Sequence, residues 1–372
     1  MKFKLFYHSV VSDWNHGNAH FLRGYATELI NLQQEVEIFE PANGWSLQNL
    51  KKDIGESSLL RFSQLFPQLN PTFYHNLSEI ENFLYDADVV IVHEWNDPAL
   101  VELIGQLRHK YGFVLLFHDT HHRAVSAPDE MEKYDLSCYD GTLAFGEVIK
   151  NIYLENQWTK SAWTWHEAAD TNLFRPLKNK KEGHLVWVGN WGDDERSEEL
   201  LEFLIKPVKD LKLDATMYGV RYPKHAIKAL KAAGINYGGY LPSYQVPEVF
   251  SRYLLTVHIP RRPYVESLPG IPTIRPFEAM ACGLPLVCTP WQDSESLFQK
   301  GADYLSVSSA EEMKKALRLI FNTRTLASQL IQNGLKTIQN SHTCRHRSVR
   351  LIEIILKLKA KNPEQFKTQS VA

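Results

Sequence analysis

The sequence predicts two tandem α/β domains, each built on a parallel sheet, and three observations lead there. A chain of 372 residues that is 44% hydrophobic and 23% charged is too long for one ordinary core and too balanced for disorder. Short runs rich in β-branched or aromatic residues alternate with longer segments of helical period, which is the pattern of βαβ units. The alternation restarts after a polar stretch near the middle of the chain, which argues for a second domain rather than one long sheet.

In the first half, the pattern predicts a strand over 3–11, a helix over 19–32, a strand over 36–39 and another over 88–93. A helix over 99–111 and a strand over 114–118 follow. In the second half, strands are expected at 184–188, 215–218 and 254–258, and helices at 197–211, 224–233 and 276–282. The stretch FRPLKNKKEGH carries no periodicity, is opened by Pro176 and is closed by Gly183. It sets the expected division: an N-terminal domain over 1–175, a hinge over 176–183 and a C-terminal domain over 184–345. Consecutive helices follow Ala310; the last, placed within 346–360, leads into a polar tail over 361–372 that is expected to be disordered.

Composition narrows the partners. A formal charge of −2 offers no global attraction to nucleic acid or to an anionic membrane. Cys138, Cys282, Cys288 and Cys344 are scattered, without the close pairs of a zinc site or the density of a disulfide framework, and read as free thiols in a reducing compartment. The opening KFKLFYHSVV is a strand with charges inside it rather than a signal peptide, and no run approaches a membrane span. A cytoplasmic location is expected. Peripheral membrane contact and oligomeric state are left open.

The chemistry-bearing residues gather where open α/β sheets place ligands, past the carboxyl ends of parallel strands. After the first strand, Gly17 sits in the loop that opens a helix, where a backbone without Cβ can approach a phosphate. His93, Glu94, Trp95 and Asn96 follow one strand, and His118, Asp119, His121 and His122 end its neighbour. A zinc set of His118, His121 and His122 matches no familiar ligand spacing.

In the second half, Asn190, Trp191 and Arg196 follow a strand. Arg196 at a helix mouth suits a diphosphate clamp, although Asp193, Asp194 or Glu199 would pair it as well. The stretch IPRRPYVESLPGIPTIRPFEAMACGLPLV leads through a Pro- and Gly-rich loop to Arg275, Pro276 and Glu278 at a helix start. A carboxylate there accepts hydrogen bonds from a ribose diol, or merely suits the helix dipole. Nicotinamide chemistry is disfavoured, because no G-x-G-x-x-G follows the first strand.

Four stretches taken in order resemble the retaining glycosyltransferases of the GT-B fold, those of glycosyltransferase family 4 and its spore-maturation-protein-like branch. They are HGN at Gly17, DVVIVHEW at 88–95, ADTNLFRP at 169–176 and RPFEAMACGLPLV at 275–287. The resemblance implies two Rossmann-like domains facing each other across a cleft, with the C-terminal helix packing back toward the N-domain. It implies transfer of a sugar from a nucleoside-diphosphate sugar to a carbohydrate, glycolipid or small-molecule acceptor, with retention and without a metal or other cofactor. A catalytically silent nucleotide-sugar binding protein or a nucleotide-sugar epimerase on the same fold are the alternatives.

By the resemblance, His118, Arg196 and Glu278 are the catalytic set. The donor is bound by Gly17, Asn190, Trp191, Arg196, Gly219, Arg261, Gly270, Ile271, Thr273, Arg275 and Glu278, and the sugar or acceptor side is lined by His93, Glu94, Trp95, Asp119 and Glu266. Two positions depart from the family pattern: its phosphate arginine falls on Asn190, and the first glutamate of its E-x7-E motif falls on Gly270. Glu266, or backbone N–H groups over 270–273, are the expected substitutes for that glutamate; Arg261, Arg262 or Arg275 would supply the missing charge.

Overall fold

The structure is a computed structural model that describes residues 1–361. It divides into two compact units, residues 1–166 with the C-terminal segment from Cys344, and residues 167–343. The stretch over 176–183 therefore lies inside the second unit. Asn179 Nδ2 donates to Ser251 Oγ at 2.7 Å and Lys181 Nζ to the Ser251 carbonyl at 3.0 Å, so its polar side chains tie it to that unit. All of the tail expected to be disordered, save Lys361, lies outside the described residues.

The first unit carries seven strands, β1 (Lys2–Phe6), β2 (Glu35–Pro41), β3 (Thr72–Tyr74), β4 (Val89–His93), β5 (Val114–Asp119), β6 (Gly141–Ala144) and β7 (Ala162–Thr164). All pair in parallel, in the order β3-β2-β1-β4-β5-β6-β7. β4 and β5 are buried throughout, as expected of strands covered on both faces by helices. The helix Pro98–Tyr111 starts as its sequence dictates, with Asp97 accepting from the Ala99 N–H at 2.8 Å and proline in the first turn, and stops at Gly112, which takes φ 71°.

β1 ends five residues before the expected 3–11 run does. The apolar residues beyond it are buried as a loop because side chains capture its backbone. Glu40 accepts from the Val10 N–H at 2.8 Å, and Arg23 donates to the Val10 and Val11 carbonyls at 2.7 and 2.9 Å. The C-terminal helix Cys344–Lys361 belongs to this unit. Ser348 Oγ donates to the Tyr25 carbonyl at 3.1 Å, and Lys359 reaches Asp88 at 3.1 Å.

The second unit carries β8 (Gly183–Val188), β9 (Ala215–Tyr218), β10 (Asn236–Gly239), β11 (Tyr253–His258), β12 (Leu286–Cys288) and β13 (Leu305–Ser306), again all parallel, in the order β10-β9-β8-β11-β12-β13. Its core joins Leu185, Trp187, Met217, Leu255, Val257 and Val287 from the sheet to Leu200, Leu204, Leu230 and Leu317 from the helices. The helix expected over 197–211 forms, but widens to a π turn over Leu201–Ile205. Pro207 lies just beyond; it has no N–H to give and would clash in a regular α turn, and a π bulge accommodates both.

In each sheet the chain reverses its direction of growth once, between β1 and β4 in the first unit and between β8 and β11 in the second. Such switch points leave a crevice outside the carboxyl ends of the two strands, the place where open α/β sheets bind ligands. No helix among the described residues is long and apolar enough to cross a membrane.

Candidate functional site

At the switch point of the second unit, Arg196 spans the crevice. It follows the loop after β8, and its guanidinium donates to the Asn190 carbonyl at 2.6 Å on that side and to the Ile259 carbonyl, past β11, at 2.9 Å. It lies over the Trp187 ring at 5.0 Å. Its Nε is buried and has no hydrogen-bond partner among the described residues. Burial, then the charges of Arg261 and Arg275, push its pKa down to about 9, so it remains a cation at neutral pH.

The acids that the sequence offers as partners are taken elsewhere. Asp193 pairs with Arg221 at 2.9 Å, Asp194 accepts from Ser197 at 3.0 Å, Glu195 pairs with Arg261 at 2.8 Å and Glu199 with Arg262 at 2.9 Å. Arg275 is ion-paired with Glu278, which is 1% exposed. Of the three arginines gathered here, only Arg196 has no carboxylate among the described residues.

The helix Ile274–Ala281 points its start at the same corner. Its cap residue, Thr273, is held at φ 58°, a strained conformation for a β-branched residue, and its hydroxyl meets His258 Nε2 at 3.2 Å rather than capping the helix. Burial, then Arg196 and Arg275, lower the His258 pKa to about 3, so this imidazole is neutral. The backbone N–H groups of Thr273, Ile274 and Arg275 have no acceptor among the described residues. A cation with no carboxylate contact among the described residues, a neutral imidazole and helix N–H groups without acceptors are the features with which a protein can hold an anion.

Several expected donor residues act through their backbone or not at all. Trp191 is 1% exposed, donates Nε1 to Ser197 at 2.7 Å and packs its ring on Tyr222 and His225, so its face is in the core. Asn190 Oδ1 accepts from the Val220 N–H at 2.9 Å. Gly219 permits the crossing of two loops; a Cβ there would stand 2.1 Å from the Gly189 carbonyl oxygen. Of the backbone donors over 270–273, Gly270 gives its N–H to Gln292 at 2.6 Å, Ile271 to Leu268 at 3.3 Å, and residue 272 is proline. Only Thr273 is left. Glu266 is exposed at the end of the helix Arg262–Glu266, where its charge helps raise the Arg262 pKa. The carboxylate against Gly270 is Glu295, whose Oε1 lies 2.7 Å from where a Gly270 Cβ would be. Sequence spacing had no means of finding it, because it arrives on a different loop.

In the first unit, the switch point is lined by imidazoles. His8, His16, His93 and His118 are all buried, with ring centroids 4.1 Å apart for His8 and His16, 5.7 Å for His8 and His93, and 5.2 Å for His93 and His118. Burial lowers the pKa of each, to about 3 for His16 and His118, so the cluster is uncharged. His118 stands edge-on to Trp165 at 4.8 Å, and neither of its ring nitrogens has a hydrogen-bond partner among the described residues. His93 Nε2 meets Thr120 Oγ1 at 3.0 Å. Gly17 is exposed before the helix Ala19–Asn31, whose cap residue Asn18 spends its amide on the Thr120 carbonyl at 3.2 Å.

Glu94 is fully committed, accepting from the Thr120 N–H at 3.1 Å and from Arg123 at 2.6 Å. Arg123, which sequence spacing did not single out, also lies 4.2 Å over the Trp95 ring. Asp119 accepts from Tyr153 at 2.8 Å, and burial and the Glu94 charge push its pKa up to about 8. Both carboxyl groups thus hold the site together from behind. The His118, His121 and His122 zinc set does not assemble: no group of three His, Cys, Asp or Glu among the described residues is placed to hold a metal ion.

Two doubly wound sheets with ligand crevices at their switch points define the GT-B glycosyltransferase fold, and comparison with solved structures gives the same class. Sucrose-phosphate synthase from Thermosynechococcus elongatus superposes with a TM-score of 0.65 at 15% identity, over 97% of this chain and 100% of that one. A glycosyltransferase from Rickettsia africae gives 0.67 at 12%, over 96% and 98%. Anabaena HepE in complex with UDP and glucose gives 0.68 at 11%, over 96% and 99%. Residues 171–353 match the glycosyl transferase-like family model. No curated protein sequence matches the chain.

Proposed function

We propose that the chain is a glycosyltransferase of the family 4 type, which moves a sugar from a nucleoside-diphosphate sugar to an acceptor hydroxyl with retention of configuration and without a metal ion. The observation that carries this is Arg196, a buried cation that crosses the second unit's switch point without a carboxylate partner. Loss of a nucleoside diphosphate from the anomeric carbon builds negative charge on the leaving phosphates, and preorganised donors in a dry site stabilise it. Arg196, the N–H groups at the start of the helix Ile274–Ala281, and Arg275 released from Glu278 supply those donors. Glu278 then accepts from the ribose diol.

Glu295 takes the part of the carboxylate that position 270 lacks and contacts the transferred sugar; in the first unit, His118 is the residue assigned to sugar handling. The HepE structures in complex with UDP and glucose and with UDP-glucose support a UDP-sugar as the first candidate donor. Four free cysteines, three of them buried, suit a reducing compartment and support a cytoplasmic location.

The test is a thermal-shift and calorimetric screen against UDP, GDP, ADP, CMP, dTDP and their common sugars, repeated with Glu278→Ala, followed by NMR of the product's anomeric configuration with and without EDTA. Saturable binding of one base, weakened by the substitution, with a retained and EDTA-insensitive product, is expected. Binding with no turnover would turn the reading to a silent relative, and donor consumption without acceptor to an epimerase.

A further inference from the structure

We propose that the acceptor is a neutral saccharide whose pyranose ring lies on an indole platform in the first unit, an inference that rests on the glycosyl-transfer reading. Trp14, Trp45 and Trp95 stand on three different segments near the carboxyl ends of β1, β2 and β4. Trp45 meets Trp14 at 6.3 Å and 74° and meets Trp95 at 6.4 Å and 69°, so the three rings form a floor with two walls. Trp45 is 39% exposed and the other two are half-buried, which leaves the aromatic surface open to solvent.

The platform is rigid. Trp45 stacks on the buried His8 ring at 5.5 Å and 10°. Ser46 Oγ donates to the Trp14 carbonyl at 2.8 Å, and Trp14 Nε1 donates to Asp53 at 2.7 Å. The underside of Trp95 is closed by Arg123 at 4.2 Å. Tryptophans in so fixed an arrangement offer an apolar face with little entropy left to lose, and the C–H face of a pyranose fits it while its hydroxyl rim stays with polar neighbours.

Charge decides the class of saccharide. Arg123, against the Trp95 ring, is held by Glu94 at 2.6 Å, and His8, stacked on Trp45, is neutral, so neither of these two platform contacts offers a free cation to a phosphate or carboxylate. A neutral ring is therefore favoured over a phosphorylated one.

The experiment titrates the full chain, with and without UDP, with methyl glucopyranoside, galactopyranoside and mannopyranoside, against glucose 6-phosphate and 4-methylumbelliferone. Tryptophan fluorescence and saturation-transfer NMR are the readouts. At least one methyl pyranoside is expected to bind saturably; Trp45→Ala weakens it tenfold or more, Trp45→Tyr by less than threefold, and UDP affinity is unchanged in both. If all the pyranosides fail, or only glucose 6-phosphate or 4-methylumbelliferone binds, the inference is overturned. UDP binding with sugar-donor hydrolysis in that case would leave the transfer reading standing, whereas loss of both would remove it as well. If Trp45→Ala does not fold, Trp45→Tyr and Trp14→Ala carry the comparison, and pyranoside affinity unchanged by Trp14→Ala overturns the platform.

Discussion

Arg196→Ala tests whether this side chain is a diphosphate clamp or only a tie between two loops. In the free protein it makes two hydrogen bonds to carbonyls, at 2.6 and 2.9 Å, each of which contributes about 1 kcal/mol to stability. A bound phosphate would add a charge-assisted bond to the buried Nε, for which about 1.5–3 kcal/mol is typical. The variant should therefore bind the nucleoside diphosphate roughly 10- to 150-fold more weakly at fixed salt, with a melting temperature lowered by only a few degrees. Arg196→Lys keeps the charge but cannot grip both carbonyls and a phosphate at once, and should fall between. Calorimetric titration gives the affinity and thermal unfolding gives the stability. Nucleotide affinity within twofold of the native protein, together with a clear fall in melting temperature, would refute the clamp and leave Arg196 as a structural tie.

Three further outcomes are expected. His118→Phe preserves a ring against Trp165 but removes both unpartnered nitrogens, so kcat should fall 100-fold or more with little change in melting temperature; full activity would take His118 out of the mechanism. Gly219→Ala places a Cβ 2.1 Å from the Gly189 oxygen at φ 155°, and should destabilise the second unit by about 2–4 kcal/mol, measured by denaturant unfolding; a cost under about 0.5 kcal/mol would show that the crossing can relax. His258 has a pKa of about 3 when folded and an ordinary value near 6.5 when unfolded, so the unfolded chain binds the extra proton and stability is lost as pH falls below 6.5. Between pH 7 and 5 the native protein should lose about 2 kcal/mol more than His258→Asn does, and parallel pH profiles would contradict the buried neutral imidazole.

The two-unit α/β architecture was legible because strands such as β4 and β5 are continuous apolar runs and helices such as Pro98–Tyr111 carry their own start and stop signals. Short strands escaped, β7 with three residues and β13 with two among them, since so few residues establish no period. The run beyond β1 was misread as strand for the opposite reason. Its hydrophobic residues are buried, but Glu40 and Arg23, both distant in sequence, take its backbone hydrogen bonds.

Residues at strand ends were found from sequence because topology alone puts them at the crevice: His93 and His118 end neighbouring strands in register, and Arg196 follows β8. What each one can do was settled by packing. The acids beside Arg196 in sequence are claimed by Arg221, Ser197, Arg261 and Arg262, so a local charge pattern compatible with either a clamp or a neutralised arginine leaves a cation with no carboxylate contact among the described residues. Trp191 turned inward, and Glu295 came to lie against Gly270 from a loop that no spacing rule connects to it. The sequence by itself determined the order and type of the long elements, because hydrophobic period and capping are local properties. Tertiary structure decided which polar groups are satisfied and which are left for a ligand, because desolvation and pairing depend on neighbours that only folding brings together.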